Sequence, residues 1–245
     1  MIRAENLCVV RKGAVLLNDI SCHLEPGELV AVIGPNGAGK STLVKCLVGL
    51  EKTTSGQMFL QQRPIASYTP RERARHVSYI AQQQEFLWDL TVLEVVTLGA
   101  KTPGAAEGIL AHLALREFSD RRIKSLSGGE RARVMLARAL AAQASLLIAD
   151  EPAAHLDVGQ QRAAMAAIRQ EVRRRALGAL VVIHDLNLAF TFADRILLLD
   201  NGRLTLDDAA DQALHAQELD QAFNQSFIRV EVGGRFVVFP EEQVS

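Results

Sequence analysis

A glycine-rich run near the amino terminus has the sequence Gly34-Pro35-Asn36-Gly37-Ala38-Gly39-Lys40-Ser41-Thr42. It follows the apolar run Leu29 to Ile33, which predicts a buried strand, and it leads into a helical pattern from Lys40 to Leu50. Glycine, four residues and then Gly-Lys-Ser between a strand and a helix form the pattern of a phosphate-binding loop. The alternative, a plain glycine-rich turn beside an exposed lysine, is disfavoured by this context.

The residue types of this loop suit a nucleotide with magnesium. Gly34, Gly37 and Gly39 permit positive φ and a close approach of the backbone to an anion. The amides of the loop and the helix N-terminus then attract phosphate oxygens. Lys40 can reach the β- and γ-phosphates, and the Ser41 hydroxyl is a candidate Mg²⁺ ligand. The loop therefore predicts that the chain binds ATP together with Mg²⁺.

A second apolar run, Leu146 to Ala149, ends in the carboxylates Asp150 and Glu151. Parallel strands line a ligand crevice with their carboxyl ends, so we expect Asp150 to hold Mg²⁺ and Glu151 to act as the general base for the attacking water. We expect this strand to lie one strand away from the phosphate loop. Without the loop, a solvated acidic turn would be the favoured interpretation. His184 ends another apolar run and is a candidate donor to the γ-phosphate, although a lone histidine there is more often structural.

Composition excludes several classes of function. The 245 residues are 49% hydrophobic and 22% charged, which is typical of a globular chain of one large or two small domains. A net charge of -1 gives no strong attraction to nucleic acid or anionic lipid, so we expect no nucleic-acid partner. Cys8, Cys22 and Cys46 are unclustered, as expected of reduced thiols. The residues Met1 to Glu5 lack the apolar stretch expected of a signal peptide, and no apolar run approaches the roughly 18 residues of a membrane span.

Strand and helix patterns alternate along most of the chain, which predicts an α/β fold with a mainly parallel sheet. Further strands are predicted at Leu7 to Val10, Val15 to Leu24, Val77 to Ala81, Ala179 to Ile183 and Ile196 to Leu199. Gly56 and Arg63-Pro64 are predicted turns. Helices are predicted at Val92 to Leu98, Ala105 to Leu115, Gly129 to Ala142 and Gly159 to Arg175. A tail hairpin is predicted from Phe227 to Val232 and Arg235 to Phe239 around Gly233-Gly234.

Between the loop and the two carboxylates lies Leu126-Ser127-Gly128-Gly129-Glu130, at the start of a helical pattern. Ser-Gly-Gly at a helix N-terminus is either a second anion site or a plain N-cap. The motifs at 34–42, 126–130, 150–151 and 184, in that order, resemble the ATP-binding subunit of ABC transporters. The resemblance extends from about Ile2 to about Leu219.

This resemblance implies a fold and a domain organisation. It implies a P-loop NTPase core with a mainly parallel sheet, an N-terminal antiparallel β subdomain and an inserted helical subdomain. We accordingly expect residues 1–245 to form one ABC ATPase domain. Its core would span about 1–85 and 145–215, its helical subdomain about 86–144, and its β-hairpin tail about 220–245.

The resemblance also assigns roles to matching positions. Gln82 would contact Mg²⁺ and the attacking water and would sense the membrane partner. Ser127, Gly128, Gly129 and Glu130 would cap the γ-phosphate held by a second copy of the chain. Residues 154–157, with Asp157 as their acid, would cross the dimer interface, and His184 would be the switch histidine.

The implied partners are a second copy of the chain, two transmembrane permease subunits and a periplasmic or surface substrate-binding protein. The chain would then be a peripheral protein at the cytoplasmic face of the inner membrane. Phe86, Leu87 and Trp88 are candidate permease contacts, or else ordinary core of the helical subdomain.

Similarity to known importers is what indicates a class of cargo. The stretch from His184 to Phe190 and the tail ending at Pro240 are similar to importers of iron–siderophore, haem or cobalamin. Importers of zinc or manganese, an exporter subunit and a non-transport ABC ATPase remain as alternatives.

Three positions depart from the family pattern. Family members usually stack an aromatic residue near the end of the first strand on adenine, whereas this chain has Val10-Arg11-Lys12-Gly13 there. The guanidinium plane of Arg11 is a candidate replacement. Glu130 stands where glutamine is common. The loop after Glu151 reads Pro-Ala-Ala-His, where Thr-Ser-Ala is typical of the family. We expect these differences to tune rates and to leave the reaction unchanged.

Overall fold

The computed structural model describes residues 1–82, 87–154, 156–232 and 235–241, with the backbone alone for Arg235. The strands in these ranges are β1 (Ile2–Arg11), β2 (Ala14–Leu24), β3 (Leu29–Ile33), β4 (Ser55–Leu60), β5 (Arg63–Pro64), β6 (Val77–Ile80), β7 (Leu146–Asp150), β8 (Gly178–Val182), β9 (Arg195–Asp200), β10 (Arg203–Ala209), β11 (Phe227–Val232) and β12 (Arg235–Pro240). The helices are α1 (Lys40–Leu47), α2 (Pro70–Ala74), α3 (Val92–Thr97), α4 (Ala105–His112), α5 (Gly128–Ala141), α6 (Val158–Arg175), α7 (Leu186–Phe192), α8 (Ala210–Ala213) and α9 (Gln217–Phe223).

The central sheet has the strand order β10-β9-β3-β8-β7-β6. Its strands from β9 to β6 pair in parallel, and β10 adds an antiparallel edge on β9. This arrangement confirms the predicted α/β class with a mainly parallel sheet. Strands β3, β7 and β8 are buried along their whole length because other layers cover both faces of the sheet.

Two hydrophobic cores lie on the two faces of this sheet. Along β3 the side chains alternate, so that Leu29, Ala31 and Ile33 join one core and Val30 and Val32 join the other. The first core contains residues of α3 to α7, and the second contains residues of α1, β1, β2 and β4. Full burial of such a side chain stabilises the fold by about 1.5–3 kcal/mol. The strand that leads into the glycine-rich loop is therefore held firmly from both sides.

The amino-terminal sheet has the order β2-β1-β4-β5, and its pairs are antiparallel. The predictions of turns at Gly56 and at Arg63-Pro64 are wrong, because both lie in strands. Gly56 has φ +85, and a Cβ there would lie 2.3 Å from the carbonyl oxygen of Asn6. Its glycine reflects close backbone approach between β4 and β1, and the chain turns instead at residues 61–62.

Helix ends differ from the predictions where positive-φ residues interrupt the pattern. Helix α1 ends at Leu47 and not at Leu50, because Gly49 has φ +71 and the amide of Leu50 donates back to the Lys45 carbonyl at 2.8 Å. Helix α4 ends at His112 and not at Leu115. Helices α3, α4 and α5 follow one another between β6 and β7, which is where a helical insertion was expected.

The predicted tail hairpin is confirmed by the antiparallel pairing of β11 with β12. Its expected turn residues, Gly233 and Gly234, lie outside the described residues. Val238 is buried, whereas Ile228, Val230 and Phe239 are exposed. The three cysteines are free thiols, as predicted. Within the described ranges, no helix is both long enough and apolar enough to span a membrane.

Candidate functional site

The carboxyl ends of β3, β8 and β7 form the edge at which the predicted site residues meet. Val182 of β8 pairs with Val32 of β3 on one side and with Asp150 of β7 on the other. The glycine-rich loop, the two carboxylates and His184 therefore leave the sheet at similar levels. The expectation that the carboxylates lie one strand from the loop is wrong, because β8 is inserted between β3 and β7. Strand β8 comes later in the chain, so local sequence patterns do not reveal this order.

The glycine-rich loop owes its shape to backbone conformations that glycine permits. Gly34, Gly37 and Gly39 have φ of +142, +81 and +101. A Cβ on Gly34 would lie 2.0 Å from the carbonyl oxygen of Leu199, and one on Gly39 would lie 2.7 Å from that of Leu16. A Cβ on Gly37 would meet nothing within 4 Å. The loop is thus fixed against the ends of β9 and β2 at its two outer glycines and is open at Gly37.

Helix α1 presents its N-terminus to the space enclosed by this loop. Its N-cap is Gly39, which offers no side-chain cap, and no acidic residue lies in its first turn. The first amides of the helix and the positive end of its dipole are therefore available to an anion.

Lys40 is only 6% exposed. Its Nζ donates to the carbonyl oxygens of Gly34 at 2.8 Å and Pro35 at 2.9 Å. Burial lowers the pKa of Lys40, while the nearby carboxylates of Glu151 and Asp150 act in the opposite direction. A phosphate group within the loop would give this ammonium a charged acceptor in place of two neutral carbonyls.

Ser41 and Asp150 provide two oxygen ligands of the kind that Mg²⁺ prefers. Ser41 Oγ donates to Asp150 Oδ1 at 3.1 Å, and the Asp150 carboxylate is almost fully buried. Burial is the main cause that raises the pKa of Asp150, and the charge of Glu151 raises it further. A divalent ion would stabilise this buried carboxylate, so the residues present fit magnesium.

No group of three or more His, Cys, Asp or Glu side chains that could hold a metal occurs among the residues that the structure describes. Magnesium is usually bound by one or two protein oxygens, with water and substrate phosphates completing its coordination. The pair Ser41 and Asp150 matches this mode of binding, in which the protein supplies only part of the coordination.

Glu151 and His184 form a close pair beside Asp150. His184 Nε2 lies 2.6 Å from Glu151 Oε1. Glu151 has φ +52, a left-handed conformation that is uncommon for a residue with a side chain and is found often at functional sites. A cleft of 400 Å³ opens next to this pair and is lined by both side chains. Glu151 is therefore positioned to accept a proton from a water molecule in this cleft.

Gln82 follows the neighbouring strand at the same edge of the sheet. It lies two residues after Ile80, the last residue of β6, which pairs with Ala149 of β7. Its side chain is exposed. Leu87 and Trp88 are 77% and 73% exposed, so the interpretation of these two residues as helical-subdomain core is wrong. Phe86, the third candidate permease contact, lies outside the described residues.

Residues 126–130 begin helix α5, and their contacts are local. Ser127 is the N-cap: its Oγ accepts from the Glu130 amide at 3.2 Å, and the Glu130 carboxylate accepts from the Ser127 amide at 2.7 Å. Arg121 donates to Glu130 at 3.0 Å. These hydrogen bonds to backbone and side chain lower the pKa of Glu130. The plain N-cap interpretation therefore holds within the single chain, and Gly128 and Gly129 open the helix.

The predicted interface loop precedes helix α6. Asp157 is its N-cap, and its Oδ1 accepts from the Gln160 amide at 2.8 Å. Ala154 is exposed, and His155 lies outside the described residues. The acid of this loop thus fixes the start of a helix in the single chain.

Two features near the site escaped prediction. Helix α7 begins directly after His184, with Asp185 as an N-cap that accepts from the amides of Asn187 and Leu188. An aspartate before Leu186, Leu188 and Ala189 was an available helix-start signal. Arg11, the candidate base-stacking residue, pairs with Glu51 just after α1.

Comparison with known proteins places these features in a family. The family model described as ABC transporter matches residues 17–154. The chain is 38% identical over 233 residues to the hemin import ATP-binding protein HmuV of Agrobacterium fabrum, covering 87% of this chain and 89% of that protein. It is 35% identical over 251 residues to the protein of the same name from Rhodococcus jostii, covering 98% and 86%.

Solved structures agree with this comparison. The dimeric structure of the bacterial ABC transporter cassette MJ0796 matches with a TM-score of 0.78 and 27% identity, covering 86% of this chain and 99% of that one. A post-hydrolysis state of the same cassette, bound to ADP and Pi, matches with a TM-score of 0.77 and 26% identity over 86% and 99%.

Proposed function

This chain belongs to the ABC transporter family, and from that premise we propose that it powers the import of haem or a related iron complex. The chain is an ATP-binding subunit that hydrolyses ATP, with Mg²⁺ as the partner ion. The observation that supports this chemistry is the convergence of Lys40, the Ser41–Asp150 pair and the Glu151–His184 pair at one edge of the sheet. The cargo class is supported by relatives named for hemin import that match over most of the chain.

Each residue of this edge has a distinct role in hydrolysis. The loop amides and Lys40 hold the β- and γ-phosphates, and Ser41 and Asp150 hold magnesium, which neutralises phosphate charge when bound. Glu151 accepts a proton from the water while the water oxygen bonds to the γ-phosphorus. The bond between the γ-phosphorus and the β,γ-bridging oxygen breaks in the same step. His184 donates a hydrogen bond to the γ-phosphate. Gln82, which follows β6, orients the attacking water.

The active form in this proposal is a dimer of two such chains. The contacts of Ser127 and Glu130 lie within their own subdomain, so their exposed N-terminal turn is free to face a second copy. The positive end of the α5 dipole, exposed at Ser127 and Gly128, would suit the γ-phosphate held by the other chain's loop. The similar cassette MJ0796 is dimeric in its solved structure.

The cargo would cross the membrane through other chains. Two permease subunits would dock near Gln82, where Leu87 and Trp88 expose large apolar side chains. The chain would be peripheral, at the cytoplasmic face of the membrane, and a substrate-binding protein outside would deliver the cargo. Residues 1–245 would act as one ABC ATPase domain.

The cargo is tested by growth. In cells whose own copy of the gene is deleted, wild-type protein should restore growth with hemin as the sole iron source, and Glu151→Gln should not. Glu107→Gln, at an exposed glutamate of α4, is the matched control and should restore growth. Equal growth on hemin with and without the gene, combined with a requirement for it under zinc or manganese limitation, would reject haem as the cargo.

The hydrolytic role is tested separately on the purified transporter. Glu151→Gln should lower kcat by about 10²-fold or more, because it removes the proton acceptor. Its affinity for ATP should stay close to that of the wild type, since the phosphate loop is untouched. Unchanged turnover in this variant would refute the role of Glu151.

A further inference from the structure

The tail hairpin and helix α7 are joined by a two-point contact that the roles above do not use. The side-chain amide of Asn187, in the first turn of α7, faces the backbone of Val238 in β12. Asn187 Nδ2 donates to the Val238 carbonyl at 3.2 Å, and the Val238 amide donates to Asn187 Oδ1 at 2.7 Å. Both backbone hydrogen-bonding groups of Val238 are thus paired with one side chain, which fixes the position of β12 relative to α7.

The hairpin is itself fixed to the body of the protein by its inner face. Val238 is only 4% exposed. Arg229 of β11 donates to the Leu214 carbonyl at 2.7 Å and to Asp220 of α9 at 2.5 Å. The hairpin therefore makes its own contacts with the rest of the protein, and Asn187 connects it to α7.

The first turn of α7 transmits this connection to the catalytic edge. Asp185 Oδ1 accepts from the amides of Asn187 at 2.8 Å and Leu188 at 3.1 Å, which closes the turn directly after His184. His184 in turn lies 2.6 Å from Glu151. A shift of Asn187 would consequently move His184, because only a capped turn separates them.

The first turn of α7 lies beside an open cleft. His184, Asp185 and Leu188 line this cleft of 400 Å³ together with Gln161 and Met165 of α6. Leu188 and Ala189 are buried in the hydrophobic core, whereas His184 and Asp185 are exposed. The hydrogen bonds to Val238 therefore add a constraint beyond the packing of α7.

We propose that Asn187 is a positioning residue, which ties α7 to the tail hairpin and so holds His184 in place beside Glu151 for ATP hydrolysis. The proposal rests on the ATPase function proposed above. It assigns the tail hairpin a role in setting the turnover rate of a site to which it contributes no side chain. The nucleotide itself is held by the loop after β3, so ATP binding should be insensitive to this connection.

The test compares substitutions of Asn187 in the assembled transporter. Asn187→Leu keeps the approximate volume and removes both hydrogen bonds, and it should lower kcat by about ten- to one-hundred-fold with KM for ATP within about twofold. Asn187→Asp keeps the acceptor for the shorter bond and should retain more of the kcat. Gln57→Leu, at an exposed position of β4, is the control and should leave both constants unchanged.

Two further readouts separate positioning from general stability. The ring ¹⁵N resonances of His184 in the nucleotide-free protein should change in Asn187→Leu and stay unchanged in Gln57→Leu, since the contact with Glu151 is altered only in the former. In a double-mutant cycle, Asn187→Leu should add little to the loss caused by His184→Ala, because both act on the same group.

The outcomes distinguish this proposal from the function on which it rests. Wild-type kcat in Asn187→Leu, with or without a lower Tm, would overturn the positioning role while leaving the ATPase intact. If Asn187→Leu does not fold, wild-type kcat and His184 resonances in both Asn187→Asp and Arg229→Ala would overturn it equally. Absence of hydrolysis by the wild-type transporter would instead refute the proposed function.

Discussion

Ser41 and Asp150 meet at 3.1 Å, although 109 positions of sequence separate them. The contact joins the first turn of α1 to the end of β7 and buries the Asp150 carboxylate. It is the point at which the glycine-rich loop and the strand that ends in the two candidate carboxylates come together.

Asp150→Asn should stabilise the magnesium-free protein while abolishing hydrolysis. The pKa of Asp150 is raised from the ordinary value of 3.8, chiefly by burial, so the folded state favours the protonated form. The stabilising contribution of that form is lost as pH rises through the raised pKa, and at pH 7 the charge lowers stability. Asparagine removes that charge and can still accept from Ser41. Thermal melts at pH 7 should show a higher Tm, by about 2–4 °C for each kcal/mol gained. An unchanged or lower Tm would contradict the interpretation.

Gly34→Ala and Gly37→Ala should separate folding from binding within one loop. A Cβ at position 34 would lie 2.0 Å from the Leu199 carbonyl oxygen, so this variant should be strongly destabilised or insoluble. A Cβ at position 37 meets nothing within 4 Å, so that variant should fold with a modest cost from its φ of +81, about 1–2 kcal/mol. Calorimetry with ATP should show weaker binding by Gly37→Ala. Similar melting curves for the two variants would show that the close approach of Gly34 to β9 does not determine the stability of the fold.

Ser127→Arg should prevent the ATP-dependent dimer. The serine caps α5 at an exposed N-terminal turn, and a long cation there would occupy the space proposed for the other chain's γ-phosphate. In a Glu151→Gln background, light scattering with ATP should show a dimer that disappears on adding Ser127→Arg. Ser67→Arg in the same Glu151→Gln background is the control. Ser67 lies in an exposed 3-10 turn, and its substitution should leave the dimer intact. A dimer that persists in Ser127→Arg would refute the shared site.

Arg11→Ala should weaken the binding of ATP but not of inorganic tripolyphosphate. Arg11 is the last residue of β1 and pairs with Glu51. It precedes the turn into β2, whose Leu16 lies beside the phosphate loop. If its guanidinium stacks on the base, its removal should cost about 1–3 kcal/mol, or about fivefold or more in Kd. Arg11→Tyr should restore binding. Arg3→Ala, in the same strand, is the control. Equal losses for ATP and tripolyphosphate would show that Arg11 does not contact the base.

The sequence alone was sufficient for the local elements of the site. The glycines of residues 34–42 fix positive φ, and the lysine and serine follow at a set spacing, so a strand, a loop and a helix are encoded within a short segment. The fully apolar runs of β3, β7 and β8 likewise predicted a parallel sheet covered on both faces. The error at Gly56 arose because this glycine has a tertiary cause. The edge strand β10, which pairs with β9, was not predicted.

Sequence by itself therefore determined the class of fold and the candidate residues for phosphate binding and hydrolysis, because each depends on interactions within a few residues. Tertiary structure alone decided that β8 lies between the loop and those carboxylates, that His184 pairs with Glu151, and that Asn187 is bound to the tail hairpin. These contacts join segments far apart in the chain. Their formation depends on the free energy of the whole packed sheet, which no local pattern contains.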